Sequence, residues 1–485
     1  MVNRSVRPKN IRNLRRLNSA APSAVPLAKL VGKPDPAKKK PVNPIIGPVI
    51  DLDDTKGLFS SFTFRKLIKS SVTLHVAAYG PMVDFGTQVM GSGLMRNPLF
   101  KKAVLGVTER TFYEHFCAGK NLEKARETVE RLWDAGLYAM LDYGLEHAHD
   151  SESCDKNLEE FIHTINFARV LHGSPVSYVA VKITAICPPT LLRRVSDLLR
   201  WEYKDNSLHL PWKRNTFPIF ATSSPLYHTP QRPAPLTPDE ERDLSSGYER
   251  LRKICENAIE ANIPVLIDAE DTSIQPAIDY FTYSAAIEYS SSSDDDPVIY
   301  NTVQAYLKDS KDRLVIAKEA ADSMGVPVGF KLVRGAYMST ENGWADLLGV
   351  KSPIHDSIQD THDCYNECAD FLIEEIAGGS GSVVLATHNV ESGKMAASKA
   401  VSLGIEKDSP YLQFAQLYGM AEALSFGLKN AGFRVSKYLP FGPVEHIMPY
   451  LLRRAEENRG LLSTSSLDRF LMRKELMRRL TCKGS

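Results

Sequence analysis

Eight short apolar runs alternate with longer amphipathic stretches along most of this sequence. The runs are rich in β-branched residues, which favours strands, and they cover residues 138–142, 178–183, 264–268, 299–305, 328–333, 382–387, 412–417 and 434–438. The clearest helix-like stretches between them cover residues 158–171, 248–261, 309–324, 356–376, 392–403 and 419–430. This alternation is typical of an α/β protein, and eight units favour a (β/α)8 barrel. A doubly wound open sheet has the same alternation and stays open as the alternative.

The chain before the first run has a different character. Residues 1–50 are rich in basic residues and proline, so we expect a disordered region. We expect an N-terminal helical extension over residues 51–135, with one helix over 60–78 and one that Asn121 caps and Gly136 follows. The barrel then takes up residues 136–470, and residues 471–485 form a C-terminal tail. Two surface insertions are predicted, a proline-rich segment over 201–240 and a low-complexity loop over 290–296.

Charge is distributed unevenly along the chain. The 59 basic and 58 acidic residues almost cancel, but residues 1–34 contain eight basic residues and no acidic one. The remainder is therefore net acidic, which argues against a nucleic-acid-binding protein. A basic, acid-free N-terminus favours a mitochondrial transit peptide, and an ordinary disordered basic tail is the alternative. No apolar run approaches the roughly 18 residues of a membrane span, although attachment to a membrane surface stays open.

The cysteines predict neither a disulfide framework nor a metal site. Their number is seven, and no CxxC motif occurs, which favours a reducing compartment. Cys364 and Cys368 lie close to His362 in the sequence, but two cysteines four residues apart on a helix simply share a face. Because no second group of ligands completes a zinc site, we predict no bound metal.

Polar side chains stand at the ends of nearly all the predicted strands. In a barrel these ends form one rim, where catalytic residues gather. Taken singly, each side chain has an ordinary structural explanation, such as a buried lysine that neutralises a carboxylate. Together they predict a functional site, because each costs desolvation unless it is paired. The residues concerned are Lys182, Asp268, Glu270, Gln304, Tyr306, Lys331, Arg334, Tyr337, Thr387, His388, Asn389, Gln416, Tyr418 and Tyr438.

The segment after the eighth run carries a distinctive charged helix. Arg453 and Arg454 are adjacent, Tyr450 precedes them by about one turn, and Glu457 follows them by about one turn. Two guanidinium groups about 100° apart suit the binding of one small carboxylate. A solvated face of arginine and glutamate has the same spacing, and the spacing alone does not decide between the two.

Four segments of this sequence resemble the proline dehydrogenase family, most closely its mitochondrial plant members. They are LIDAEDTSIQPAI, KLVRGAYMSTE, LATHN and YLPFGPVEHIMPYLLRRAEEN, and the resemblance extends over roughly residues 130–470. It implies a distorted TIM-type (β/α)8 barrel that binds FAD without a Rossmann domain, and no GxGxxG motif occurs between a strand and a helix here. It also implies oxidation of L-proline to 1-pyrroline-5-carboxylate, the first step of proline catabolism. Electrons would pass to a quinone at the matrix side of the mitochondrial inner membrane.

The resemblance also implies roles for individual residues. Asp268 and Lys331 are the expected catalytic residues. The carboxylate of proline would bind Arg453, Arg454 and Lys182, and Glu457 would face the ring nitrogen. The expected ring-contacting residues are Tyr337, Leu417, Tyr438 and Tyr450. The expected FAD contacts are Gln304, Lys331, Val333, Arg334, Gly335, Ala336, Thr387, His388 and Glu422.

This chain departs from the bacterial pattern at two places. Lys331 and Arg334 hold the reverse of the order that is frequent in bacterial members, and Met338 stands where an aromatic residue is common. Two other functions stay open at this point. One is a different flavin barrel, such as a methylenetetrahydrofolate reductase, and the other is a non-catalytic barrel relic.

Overall fold

A closed ring of eight parallel strands forms the centre of the computed structural model, which describes residues 48–145, 148–290, 296–458 and 465–481. The strands are β1 (Tyr138–Tyr143), β2 (Val176–Val181), β3 (Val265–Ile267), β4 (Ile299–Gln304), β5 (Gly329–Val333), β6 (Ser382–Ala386), β7 (Leu412–Leu417) and β8 (Val435–Phe441). Each pairs in parallel with its neighbour in sequence, and β1 closes the ring against β8. The predicted barrel is confirmed, and the open sheet is excluded because the ring closes.

Helices precede the barrel and cover its outside. Before β1 the structure has α1 (Thr55–Leu58), α2 (Phe64–Ala78), α3 (Gly80–Gly91), α4 (Pro98–Thr108), α5 (Glu114–Phe116) and α6 (Leu122–Asp134). The later helices are α7 (Ser151–Arg169), α8 (Ile183–Ile186), α9 (Pro189–Lys204), α10 (Pro238–Ala261), α11 (Gln275–Glu288), α12 (Ser310–Met324), α13 (Met338–Leu348), α14 (Ile358–Ala377), α15 (Val390–Ser402), α16 (Glu422–Asn430), α17 (Val444–Glu457) and α18 (Ser466–Thr481). The predicted cap of α6 is present, since the Asn121 side chain accepts a hydrogen bond from the Lys124 amide at 3.0 Å.

Aromatic side chains fill the barrel below the strand ends. The rings of Tyr178 and Tyr300 meet edge to face at 4.9 Å, and the Tyr300 hydroxyl donates to Ser382 Oγ at 2.7 Å. Met140 and Leu266 belong to the same buried cluster. This buried layer fills the middle of the barrel. The open space therefore lies above the layer, at the C-terminal ends of the strands.

The N-terminal helices contact the loops after β7 and β8. Tyr113 Oη donates to the Gly442 carbonyl at 2.7 Å, and His115 Nε2 lies 2.9 Å from the Gly419 carbonyl oxygen. These contacts join two segments about 300 residues apart, so the extension helps to fix the rim of the barrel. Residues 39–485 form one compact unit, and the predicted division into regions stays a prediction.

Two predicted segments have different boundaries in the structure. The proline-rich insertion begins only after α9, at residue 205, and ends where Thr237 caps α10. The predicted C-terminal tail is helical from Ser466 to Thr481, and Arg479 donates to the Phe59 and Phe62 carbonyls at 2.8 and 2.7 Å. The predicted region 1–50 and loop 290–296 lie largely outside the described residues.

No helix within the described residues is both long enough and apolar enough to cross a bilayer.

Candidate active site

A cavity of about 1420 Å³ lies at the C-terminal ends of the strands. The cavity is lined by side chains from each of the eight strands or from the residue just after it. Residues of α17 and α18 also line it. Seventeen of the eighteen residues predicted for the site lie in its wall, and the exception, Glu422, is treated below. The seventeen are Lys182, Asp268, Gln304, Lys331, Val333, Arg334, Gly335, Ala336, Tyr337, Thr387, His388, Leu417, Tyr438, Tyr450, Arg453, Arg454 and Glu457.

A buried ion-pair network occupies the floor of the cavity. Lys182 follows β2, Asp268 follows β3, and Lys331 lies in β5, so three separate strands bring them together. Lys182 Nζ donates to Asp268 Oδ2 at 3.0 Å, and Lys331 Nζ donates to Asp268 Oδ1. Tyr438 Oη donates to Asp268 Oδ2 at 2.6 Å. Asp268 is therefore the residue that joins the two lysines and the tyrosine.

Asp142 is a member of this network that the sequence analysis missed. It lies in β1, and its Oδ1 accepts a hydrogen bond from Lys182 Nζ at 2.9 Å. The signal was present in the sequence, because Asp142 ends the first apolar run just as Asp268 ends the third. We expect carboxylates that end neighbouring strands of a barrel to lie at the same rim.

The two aspartates have opposite pKa shifts. Burial favours the neutral form of both carboxyls. At Asp268 the ammonium groups of Lys331 and Lys182 outweigh burial and hold the pKa below its ordinary value. At Asp142 burial dominates, the Asp268 charge adds to it, and the pKa is raised despite Lys182. Asp268 is thus the firmly ionised member of the pair.

The final barrel helix, α17, directs both arginines toward the cavity. The Arg454 guanidinium lies 4.8 Å from the Tyr450 ring centre, and its Nη2 donates to Glu457 Oε1. The Arg453 guanidinium lies 5.7 Å from the Tyr337 ring centre. Arg454 is only 4% exposed, which excludes the alternative of a fully solvated arginine face.

Charge and hydrogen-bonding capacity at this end of the cavity favour an anionic ligand. Two buried polar atoms of α17 have no hydrogen-bond partner among the described residues, Arg454 Nε and Tyr450 Oη. Within the ion-pair network and α17, four cationic cavity residues, Lys182, Lys331, Arg453 and Arg454, outnumber three carboxylates, Asp142, Asp268 and Glu457. A small carboxylate therefore neutralises the excess positive charge and supplies acceptors for the unpaired donors.

Arg334 and His388 form a further part of the cavity wall. Arg334 donates to Thr387 Oγ1 at 2.7 Å and to Ser392 Oγ at 2.8 Å, so its guanidinium is held in one orientation. His388 Nε2 accepts a hydrogen bond from the Leu417 amide at 3.1 Å. Burial, reinforced by the Arg454 charge, lowers the pKa of His388 to about 3. The imidazole is thus neutral and carries its proton on Nδ1.

Gly335 allows a close approach between two loops of this wall. Its φ of +134° lies in the region that favours glycine, and a Cβ there would lie 2.4 Å from the Tyr306 ring. We expect Gly335→Ala to lower the free energy of unfolding by about 2–4 kcal/mol. Gly343→Ala is the control, because Gly343 lies inside α13 with no atom within 4 Å of the added Cβ. Urea unfolding of both variants tests this, and equal stabilities would contradict it.

Glu341 joins α13 to the loop after β3 and should make stability depend on pH. It accepts a hydrogen bond from the Thr272 amide at 2.7 Å, and burial raises its pKa from 4.5 to about 7. Because the folded state holds this proton more tightly than the unfolded state, its contribution to stability is largest at low pH. That contribution is lost as the pH rises from about 4.5 to about 7.

Glu341→Gln should reduce the pH dependence of stability in that window. Urea unfolding at about pH 4.5 and about pH 7 measures how the free energy of unfolding changes with pH for the wild type and the variant. Glu319→Gln on the exposed side of α12 is the matched control. The expectation is wrong if Glu341→Gln and Glu319→Gln retain the same slope as the wild type.

The predicted cofactor contact Glu422 lies outside the cavity wall, which corrects that expectation. Glu422 begins α16, where Asp468 accepts hydrogen bonds from the Glu422 and Ala423 amides at 2.8 and 2.9 Å. Its carboxylate lies 3.4 Å from Lys437 Nζ. Because successive residues of a strand point to opposite faces, Lys437 points away from the cavity that its neighbour Tyr438 lines.

Comparison with known proteins finds one matching family and several similar relatives. A family model described as Proline dehydrogenase matches residues 125–466. The chain is 51% identical to proline dehydrogenase 2, mitochondrial, of Arabidopsis thaliana, over 99% of both chains. It is 56% identical to proline dehydrogenase 1, mitochondrial, of the same plant, over 89% of this chain and 87% of the relative. It is also 30% identical to the hydroxyproline dehydrogenase of Bos taurus, over 88% of this chain and 93% of the relative.

The fold also resembles solved structures of larger bacterial proteins. Proline utilization A of Bdellovibrio bacteriovorus, inactivated by N-propargylglycine, matches with a TM-score of 0.58 and 21% identity. The match covers 86% of this chain and 40% of the bacterial one, so this chain corresponds to less than half of that protein. At this identity the likeness shows the barrel fold alone.

Proposed function

Because the chain belongs to the proline dehydrogenase family, we propose that it oxidises L-proline to 1-pyrroline-5-carboxylate with FAD as the bound oxidant. One observation carries the proposal: a pair of arginines and a buried Lys–Asp–Lys network line the same cavity. The arginines provide a carboxylate-binding end, and the network provides a rigid floor beneath the ring of the substrate.

The size of the cavity supports a bound flavin beside a small substrate. Its volume of about 1420 Å³ exceeds the roughly 300–1,000 Å³ of an ordinary small-molecule site. Arg334 and the Nδ1 proton of His388 supply donors that suit the oxygen and nitrogen edge of an isoalloxazine ring. The proposed FAD contacts are Gln304, Lys331, Val333, Arg334, Gly335, Ala336, Thr387 and His388. When bound, the flavin would supply the two-electron acceptor for the hydrogen removed from ring C5 of proline.

The residues of this chain would act mainly by orienting the substrate. Arg453 and Arg454 would bind the carboxylate and thereby fix the position of the ring. The ammonium group of Lys182 already donates to Asp142 and Asp268. We therefore assign Lys182 to the binding site through its positive charge, with the direct contacts made by the arginines.

Aromatic side chains would enclose the ring of the substrate. Tyr337, Tyr438 and Tyr450 lie in the cavity wall with Leu417. The Tyr438 hydroxyl is held by Asp268, and the Lys331 ammonium lies 5.3 Å from the Tyr438 ring centre. This side chain is thus fixed in place, and its position supports exclusion of water from the reacting atoms.

Glu457 is the proposed group for handling the proton of the substrate nitrogen. The nitrogen must lose its charge before its lone pair can assist oxidation at the adjacent carbon. Burial raises the pKa of Glu457, although the charges of Arg454 and Arg453 oppose the shift. A carboxylate with a raised pKa is a stronger proton acceptor than one with the ordinary value.

The remaining assignments concern the electron acceptor and the location of the protein. Two plant relatives carry the designation mitochondrial in their names, and the basic N-terminus supports the same location for this chain. We propose the matrix side of the inner membrane, where a membrane quinone would reoxidise the flavin.

Colour provides the test of this function. Purified protein loaded with FAD should absorb at about 450 nm, and anaerobic L-proline should bleach that band. Bleaching by a reduced nicotinamide and not by L-proline would select a reductase of the methylenetetrahydrofolate type. Protein that binds no flavin even after reconstitution would favour a non-catalytic barrel.

A further inference from the structure

Two neighbouring helices of the N-terminal extension expose large apolar side chains. Helix α4 has no buried residue, and neither does the 3₁₀ turn that precedes it, Gly93–Arg96. Leu99 is 80% exposed and Val107 is 66% exposed, and in α3 Phe85 is 63% exposed. A helix of a water-soluble domain normally buries its apolar face against a core, so this surface needs a different partner.

The exposed side chains form stripes along the helices. Leu99, Ala103 and Val107 are four residues apart on α4, which places them on one side of the helix. Met82 and Phe85 are three residues apart on α3 and are also exposed. The surface therefore consists of two amphipathic segments and not of scattered single residues.

Basic side chains accompany these stripes. Between Tyr79 and Thr108 the sequence has three basic residues, Arg96, Lys101 and Lys102, and one acidic residue, Asp84. All three basic residues are exposed, and Lys102 lies one turn from Leu99 on α4. An apolar stripe flanked by exposed lysine and arginine is complementary to a surface that is both apolar and negatively charged.

We propose that α3 and α4 form a membrane-docking surface that lies in the plane of an anionic phospholipid bilayer. The helices have 12 and 11 residues, which is too short to span a bilayer but sufficient to bury one face at its interface. The apolar stripes would enter the boundary of the acyl chains, and the lysines would contact the phosphate groups.

Charge argues against a second copy of this chain as the occupant. A two-fold interface pairs the same patch on both copies, so Lys101 and Lys102 of each would approach their counterparts without a matching set of carboxylates. The first 34 residues are no better suited, because they too carry basic and no acidic side chains. An anionic bilayer supplies the missing negative charge.

The docking surface adjoins the helix that lines the cavity. Helix α3 contacts α2 and α17, and α17 carries Arg453 and Arg454. Phe470, which lines the cavity from α18, is 64% exposed. Docking would thus bring the cavity-bearing side of the barrel close to the membrane. The inference rests on the surface alone and holds whether or not the proposed oxidation is correct.

Co-sedimentation with lipid vesicles tests the proposal directly. The full chain should bind vesicles of phosphatidylcholine mixed with phosphatidylglycerol more tightly than vesicles of phosphatidylcholine alone. The double variants Leu99→Asp/Val107→Asp and Lys101→Glu/Lys102→Glu should each lower the partition coefficient about tenfold or more. Val170→Asp is the matched control, because Val170 is 70% exposed at the end of α7 and should bind as the wild type does. Thermal unfolding by circular dichroism checks that all variants fold.

The outcomes separate the alternatives. Weaker binding by both double variants with intact folding supports the docking surface. Vesicle binding that neither double variant changes would overturn it, as would a wild-type chain that stays in the supernatant. A dimer in sedimentation velocity that Leu99→Asp/Val107→Asp dissociates, together with no vesicle binding, would identify a second copy as the occupant and would also overturn it.

Discussion

Replacing Arg454 with methionine is expected to raise the KM for L-proline about 10- to 150-fold, because a charge-assisted hydrogen bond to the carboxylate contributes about 1.5–3 kcal/mol. Arg454 is 4% exposed and has a buried Nε without a partner among the described residues. A bound carboxylate supplies that partner, and methionine keeps most of the apolar volume. Steady-state kinetics over a range of proline concentrations measures the effect.

Arg434→Met is the matched control for that variant. Arg434 also stacks on a tyrosine, with its guanidinium 5.5 Å from the Tyr138 ring centre, but it precedes β8 at the opposite end of the barrel. The control should leave the KM for proline unchanged. A similar KM in Arg454→Met and the wild type would show that this arginine does not hold the carboxylate.

Asp268→Asn is expected to produce the largest loss of activity in the cavity floor. Asp268 balances the charges of Lys182 and Lys331. Removing one partner of a buried ion pair costs about 3–5 kcal/mol, because it leaves uncompensated charge. We expect the unfolding free energy to fall by this order and kcat to fall about 100-fold, since Tyr438 and both lysines then share a neutral amide with a single acceptor oxygen.

Asp142→Asn should have a smaller effect than Asp268→Asn. Asp142 contacts Lys182 but not Lys331 among the described contacts, and its raised pKa makes its charge less firmly held. Parallel measurements of kcat and urea unfolding compare the two variants. Equal losses, or a larger loss in Asp142→Asn, would show that Asp268 is not the centre of the network.

The barrel could be predicted because its strands repeat one pattern. Each strand needs only a short apolar run and each helix an amphipathic stretch, so the eight runs locate all eight strands to within about two or three residues. Polar strand ends then predicted the site, since parallel strands of a barrel place their C-terminal ends at one rim. The resemblance to the family supplied the identities of the individual roles.

Side-chain partners were harder to predict than strands. Asp142 was missed although it ends the first apolar run, because its pairing with Lys182 after β2 shows only in the folded barrel. Glu422 was misplaced because it begins a helix near the rim, while its carboxylate pairs with Lys437 on the outer face of β8. Helix α18 was missed because its charged residues hide the apolar positions that pack against α2.

The direction in which Arg453 and Arg454 point could not be predicted from the sequence alone. Spacing on α17 fits a ligand-binding pair and a solvated face equally well, since both place Arg453 and Arg454 about 100° apart. The decision comes from packing, which buries Arg454 against Tyr450 in the cavity wall. Long-range packing of this kind decides which face of a helix is functional.

The central claim is that the arginines of α17 recognise the carboxylate of the substrate, and a paired comparison of substrates tests it most directly. L-proline and pyrrolidine differ only by that carboxylate, so kcat/KM is measured for both with the wild type and with Arg454→Met. The account predicts that the wild type strongly prefers L-proline and that the variant loses most of this preference, through a lower kcat/KM for L-proline alone. An equal fractional loss of kcat/KM for L-proline and pyrrolidine would contradict it.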